Sequence, residues 1–325
     1  MKNFLPSLYY FIFFLFITFL LTPFSIFIGK KLNIVDKPHE KRGGKEKITP
    51  KLMPRSGGFS IYISLFILLI YLYIQNPSKQ LISILIGGTI IFIVGVIDDR
   101  FKLNAWIKLL FELIAAIIPI IYGIKINFVT NPFKGEYIYL QELSIPFTIF
   151  WIVGITNAIN IIDGLDGLAS GVVSIASITL GFVAFLKGQF IVSTICFSLS
   201  GIALGFLIYN FPPAKIYLGD SGALLFGFII AEIAVWGALK TTTSVTLSVA
   251  IVALGFPIIE TLSSIVRRIL RRKNIFEADM DHIHYKLIFR GMKEKEVIIL
   301  IYFITILFSI LSIIILKRLS LWLKP

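Results

Sequence analysis

Cysteine is all but absent from this chain: Cys196 stands alone, which excludes a disulfide within the molecule. Histidine is nearly as rare, with three in 325 residues, and only 15% of residues are charged. The first apolar segment is followed by no small-residue cleavage site, so it reads as a retained helix and not as a removable leader. Nor does any basic groove with interleaved aromatics appear, so no nucleic-acid strand is called for. Apolar residues are what the chain has in excess. They make up 57% of it, and the mean hydropathy of +0.91 is far beyond what a soluble core needs.

That composition predicts an all-α, polytopic integral membrane protein made as a single transmembrane domain over 1–325. At roughly 20 residues per crossing, spans are expected near 8–28, 57–75, 81–97, 107–123, 146–162, 168–186, 190–209, 223–239, 245–266 and 296–316, about ten helices. Loops 29–56, 98–108, 210–222 and 267–295 hold 22 of the 31 Lys and Arg. By the positive-inside rule these loops are cytoplasmic and both termini lie outside. The net charge of +13 then reads as topology plus a basic surface for anionic ligands and membrane lipid.

Five aspartates fall on that same cytoplasmic face: Asp98 and Asp99 in GVIDDR, Asp163 and Asp166 in NAINIIDGLDGLA, and Asp220 in KIYLGDSGA. Adjacent carboxylates at a low-dielectric boundary need a cation or hydrogen-bond donors to stay ionised. Arg100 as a simple ion-pair partner is the plainer explanation for the first pair. Asn157, Asn160, Asp163 and Asp166 recur every three residues and cluster along one helix face, which therefore cannot face lipid. Asp163-Gly164 and Asp166-Gly167 then break the helix where only a cavity or buried site tolerates irregular backbone. Asp220, between glycines at a helix start, suits an N-cap or an anion-and-metal site equally well.

The basic loops carry the remaining candidates. In 29–56, most lysines read as a juxtamembrane belt, but Lys51 and Arg55 precede Gly57-Gly58, where backbone can approach a ligand closely. Lys108 follows the aspartate pair by two to three helical turns. His282 and His284, with Arg267, Arg268, Arg271 and Arg272 nearby, suit phosphate binding. A zinc site with Asp279 and Asp281 is the alternative, although the loop offers no thiolate.

GVIDDR, NAINIIDGLDGLA, PAKIYLGDSG and FEADMDHIHYKL, in this order, resemble the polyprenyl-phosphate N-acetylhexosamine-1-phosphate transferase family over nearly the whole chain. The resemblance implies a membrane enzyme of ten or eleven helices. It would depend on Mg2+, with Mn2+ as a substitute, and move a sugar 1-phosphate from a UDP-sugar to undecaprenyl phosphate with release of UMP. DHIHYKL and DDRFKL are more similar to the N-acetylglucosamine branch than to the phospho-N-acetylmuramoyl-pentapeptide transferases. Tyr285 stands where a histidine is usual, and Glu260 where an aspartate is usual. By the same resemblance Asn160 and Asp220 are the metal ligands, and Asp98 and Asp99 position or deprotonate the lipid phosphate. Asp163 and Asp166 complete the pocket, while Lys51, Lys108, Asn157, Arg268, His282 and His284 contact phosphate or sugar. The location implied is the bacterial cytoplasmic membrane with the active site inside, and a homodimer is compatible with it. Two other readings fit less well. A CDP-alcohol phosphotransferase needs an Ala-Arg and further aspartates that are missing, and a cation-coupled transporter would hold its carboxylates near the bilayer midplane.

Overall fold

The computed structural model describes all residues except 1–3, 37–40, 43–44, 47–51, 131–136, 240–244, 273–280 and 323–325. Twelve α-helices are found among the described residues: α1 (Phe4–Lys31), α2 (Gly57–Gln75), α3 (Lys79–Phe101), α4 (Ala105–Ile121), α5 (Ser144–Ile162), α6 (Leu168–Leu186), α7 (Phe190–Asn210), α8 (Gly219–Leu239), α9 (Val245–Ala253), α10 (Gly255–Leu270), α11 (Ile283–Phe289) and α12 (Glu294–Trp322). Strand is confined to short two-stranded ladders, one of which pairs Val35 with Pro54 and Asp36 with Met53.

Eight of these helices are long and apolar enough to cross a membrane, and α9 with α10 makes a ninth candidate. The protein is therefore a polytopic helical membrane protein, as the hydropathy predicts. The expected span at 107–123 forms α4, which at 1.5 Å per residue is about 25 Å long against a hydrocarbon core of roughly 30 Å. It is the element on which a count of ten depends. Because α3 and α5 both end at the polar cluster described below, the chain has to return between them, and α4 begins that return.

The expected single span at 245–266 departs more clearly from the sequence reading. It is broken at Leu254, and α10 leaves α9 at 70°. Pro257 in the first turn of α10 has no N–H to continue the α9 ladder, while its fixed φ suits a helix start. Polar Glu260 and Ser264 on α10 are buried, whereas Ile259, Leu262, Val266 and Leu270 are exposed. A helix with that division presents its apolar side to lipid.

At the centre stands α8, 94% of whose apolar window is buried, whereas α1 and α12 at the periphery are 22% and 28% buried. Close approach to the start of α8 is made possible by glycines. A Cβ at Gly95 of α3 would collide with the backbone of Ser221, and one at Gly58 of α2 with the Ser221 side chain. By contrast, a Cβ at Gly88 would meet flexible side-chain tips, Ile229 Cδ1 at 3.2 Å and Leu225 Cδ1 at 3.5 Å. Gly95→Ala should therefore lower the thermal midpoint in detergent well beyond Gly88→Ala, by about 1–3 kcal/mol of overpacking. Equal midpoints for the two variants would refute this packing account.

Candidate active site

Three carboxylates from three distant parts of the chain converge on Arg55. Its Nη1 meets Asp36 at 3.3 Å, its Nε and Nη2 meet Asp99 Oδ1 at 3.3 and 3.2 Å, and Nη2 also lies 3.4 Å from Asp220 Oδ2. Burial opposes the charge on Arg55, but Asp99, Asp220 and Asp36 more than offset it and raise its pKa above the ordinary guanidinium value. Asp99 is the most enclosed of the three, with a side chain 0% exposed. Its Oδ1 also accepts from the Asp220 amide at 2.8 Å, and its Oδ2 from the Ser221 amide and hydroxyl at 3.0 and 2.7 Å. The cap on α8 is therefore supplied by Asp99 across the helix pair, not by Asp220. Gly219 makes room for it at φ +74°, where any Cβ would come within 2.6 Å of Asp99 Oδ2.

Asp98 points the other way from the same turn of α3. Its Oδ1 accepts from the Leu103 amide at 2.7 Å and its Oδ2 from Lys108 Nζ at 2.9 Å. Lys108 Nζ also lies 3.9 Å from Asp220 Oδ1, which takes the Asn160 side-chain amide at 2.7 Å. One turn further along α4, Glu112 accepts from the Asn157 amide. Asp98, Lys108, Glu112, Asn157, Asn160 and Asp220 thus form a continuous polar chain across α3, α4, α5 and α8.

A second lobe begins where α5 ends. Asp163 is the C-cap, and the backbone of the following turn is held from outside: Tyr285 Oη donates to Gly164 O at 3.0 Å and Tyr302 Oη to Gly167 O at 2.7 Å. Asp166 accepts from the Ala214 amide at 3.3 Å, and its own amide donates to Glu294 at 3.2 Å. Tyr285 thus acts as a latch on the DGLDG turn. Burial pushes its pKa up, aided by the charges of Asp163 and Glu294. His284 packs against this turn so closely that a Cβ at Gly164 would come 2.5 Å from its Nε2. Among the described residues neither ring nitrogen of His284 has a hydrogen-bond partner, and the residue is fully buried. Burial, then the neighbouring His282, lowers its pKa to about 4, so the ring is neutral at pH 7.

The donor set of the first lobe fits magnesium. Asp36, Asp98, Asp99, Glu112 and Asp220, five carboxylates, face two cations, Arg55 and Lys108, a surplus of negative charge that a divalent ion would offset. The ligand atoms that these side chains offer are carboxylate oxygens, which are hard donors. Among the described residues no three of His, Cys, Asp or Glu are grouped to enclose a metal. That suits an ion which takes one or two carboxylates and completes its shell with substrate phosphate and water, and it does not suit a zinc cage.

Of the residues marked out from sequence, Asp98, Asp99, Lys108, Asn157, Asn160 and Asp220 meet in the first lobe, and Asp163, Asp166, His282 and His284 in the second. Arg268 lies on α10, about two turns beyond Glu260. Lys51 lies outside the described residues, as does Asp279 of the zinc alternative. Glu112 was missed. Its signal was available as the one acid in the apolar helix AWIKLLFELIAAIIPII, where an intramembrane carboxylate is functional by default.

The sequence model of glycosyl transferase family 4 matches residues 81–238, which contain Asp98, Asp99, Lys108, Glu112, Asn157, Asn160 and Asp220 of the first lobe but not Asp36 or Arg55. A probable undecaprenyl-phosphate N-acetylglucosaminyl 1-phosphate transferase of Bacillus subtilis (strain 168) is 37% identical over 305 residues, covering 94% of this chain and 83% of that one. A phospho-N-acetylmuramoyl-pentapeptide-transferase of Prochlorococcus marinus (strain MIT 9301) is 33% identical, covering 96% and 91%. A decaprenyl-phosphate N-acetylglucosaminephosphotransferase of Mycobacterium leprae (strain TN) is 30% identical, covering 88% and 78%.

Two outcomes follow from the geometry. Asp99→Asn places an amide N–H against donors now met by carboxylate oxygen, so it should cost about 3–5 kcal/mol of stability, as breaking a buried pair does; lost turnover at an unchanged melting point would instead give Asp99 a direct chemical part. His284 has a folded pKa below its unfolded value near 6.5, so stability present above pH 6.5 is lost as pH falls toward about 4. An NMR titration showing His284 half-protonated near pH 6.5 would contradict that.

Proposed function

The chain belongs to glycosyl transferase family 4 and is a membrane-embedded transferase, and from that premise we propose that it moves N-acetylglucosamine 1-phosphate from its UDP-sugar to undecaprenyl phosphate, releasing UMP. The observation that carries this reading is the buried junction of Asp98, Lys108, Asn160 and Asp220 beside Arg55, at the helix ends that the Lys and Arg distribution assigns to the cytoplasm. A soluble nucleotide sugar reaches it from that side, and a lipid phosphate from the membrane. The names of the Bacillus and Mycobacterium relatives favour N-acetylglucosamine, as does HIHY in place of a histidine triplet. A bacterial cytoplasmic membrane and a role early in cell-envelope polymer synthesis accompany the reading.

Both substrates are anionic, so the barrier to overcome is repulsion between phosphates. A magnesium ion, when bound, neutralises phosphate charge and draws electron density from the phosphorus under attack. Asp220 and Asn160, the latter through its amide oxygen, would hold it, with Asp98 adjoining. Lys108 binds and orients the lipid phosphate, and Asp98, already hydrogen-bonded to Lys108, sets where that phosphate sits. An oxygen of the lipid phosphate attacks the sugar-linked phosphorus, the bond from that phosphorus to the UMP oxygen breaks, and its electron pair leaves with UMP. If the nucleophile arrives protonated, Asp98 takes the proton. Glu112 and Asn157 hold Lys108 and the α5 stripe in register, and His284 offers neutral ring nitrogens to the donor.

Purified protein given undecaprenyl phosphate and a panel of UDP-sugars should release UMP fastest with UDP-N-acetylglucosamine, lose that release in EDTA and regain it with Mg2+. Asp220→Ala should lower it by about a hundred- to a thousandfold, on the scale of losing one electrostatic stabiliser of the transition state. UMP release from none of the sugars would refute the proposed transfer.

A further inference from the structure

His282 and His284 flank Ile283 at the start of α11, and their rings lie parallel, 5.4 Å apart with 1° between planes. Behind His282 stands Glu260. Its Oε1 is 2.9 Å from His282 Nδ1 and also accepts the Ile283 amide at 3.0 Å. An oxygen that accepts one N–H from the backbone is an acceptor toward the ring as well, so Nδ1 carries a proton and donates it to Glu260. His282 Nε2 then points away from Glu260. Both partners are nearly closed to water, at 1% and 6% exposure, so little solvent competes for the bond. Glu260 reaches this place because α10 turns 70° from α9 one and a half turns before it. Arg267 and Arg271 on the same helix pair with Asp281, next to His282, and make the surroundings receptive to an anion.

On the proposed transfer, we infer that Glu260 is a positioning residue that locks His282 in its Nδ1–H form and aims Nε2, alongside the His284 ring, at the diphosphate of the nucleotide sugar. A carboxylate behind an imidazole fixes its tautomer and orientation and supports positive charge on the ring when the far nitrogen donates to phosphate. The stacked partner, a neutral ring whose nitrogens have no hydrogen-bond partner among the described residues, adds one N–H donor. Glu260 itself touches no reacting atom. Its longer side chain, in place of the aspartate usual at this position, matches an Nδ1 contact of 2.9 Å.

The chain has only three histidines, so protein labelled with 15N-histidine gives a readily assigned ring spectrum. In the wild type His282 should show a protonated Nδ1; an Nε2–H tautomer overturns the inference without any variant. Glu260→Ala should lose the single-tautomer signature and lower kcat by about 10–100-fold, as loss of an orienting carboxylate does elsewhere. Glu260→Gln, which keeps the length and an acceptor oxygen, should retain the Nδ1–H signature and more of the rate than Glu260→Ala. Wild-type kcat in Glu260→Ala, or a loss of kcat with the His282 signature unchanged, would make Glu260 a packing residue only. Should the wild type release no UMP from any UDP-sugar, the proposed transfer fails, while the tautomer still decides the Glu260–His282 geometry.

Discussion

Arg55 holds together charges that would otherwise drive the protein apart. Asp36 from the first polar loop, Asp99 from α3 and Asp220 from α8 all bear on one buried guanidinium. An ion pair removed from water contributes little net stability when complete and costs several kcal/mol when one member is lost. Here the arrangement fixes position above all. Asp99 receives Arg55, two backbone amides and a hydroxyl, so the start of α8 is tied to the end of α3. Glycines at 58, 95 and 219 are the steric condition for that tie, and every polar contact around Asp220 depends on it.

The same tie explains how so many carboxylates remain in one small volume. Asp99 is consumed by structure, which leaves Asp98, Asp220 and Asn160 to share Lys108 and the space a cation and a phosphate would take. Helix α5 joins that space to the second lobe, since Asn157 and Asn160 face α4 and α8 while Asp163 and Gly164 lie against α11. On the proposed transfer, two anionic substrates, one aqueous and one lipidic, would meet at this junction without either leaving its phase. The apolar faces of α1, α10 and α12 belong to the lipid side of that division.

Much of this was legible in the sequence, because hydropathy marks spans and a carboxylate in a membrane segment is too costly to be incidental. The positions of Asp98, Asp99, Asn160 and Asp220 at helix ends followed from that alone. What could not be read was which group satisfies which. Asp220 suited its own helix cap as well as an anion-and-metal site, and it is Asp99, 121 residues away in sequence, that does the capping. The helix break expected at Asp163-Gly164 is where α5 ends, but the sequence could not show that Tyr285 and Glu294 hold the turn from α11 and α12 or that the Asp166 carboxylate accepts from the Ala214 amide. The break before α10 was hidden because a bent pair and a straight span have the same hydropathy. Pro257 was its only mark.

On the proposed transfer, the bond broken lies between the two phosphates of the donor, so that sugar and phosphate travel together. UDP-N-acetylglucosamine carrying 32P on the sugar-linked phosphate tests it directly when incubated with the protein, Mg2+ and undecaprenyl phosphate. The account predicts that the label moves into the lipid fraction while unlabelled UMP is released in equal amount. Label remaining in UDP while the sugar alone reaches the lipid would contradict it.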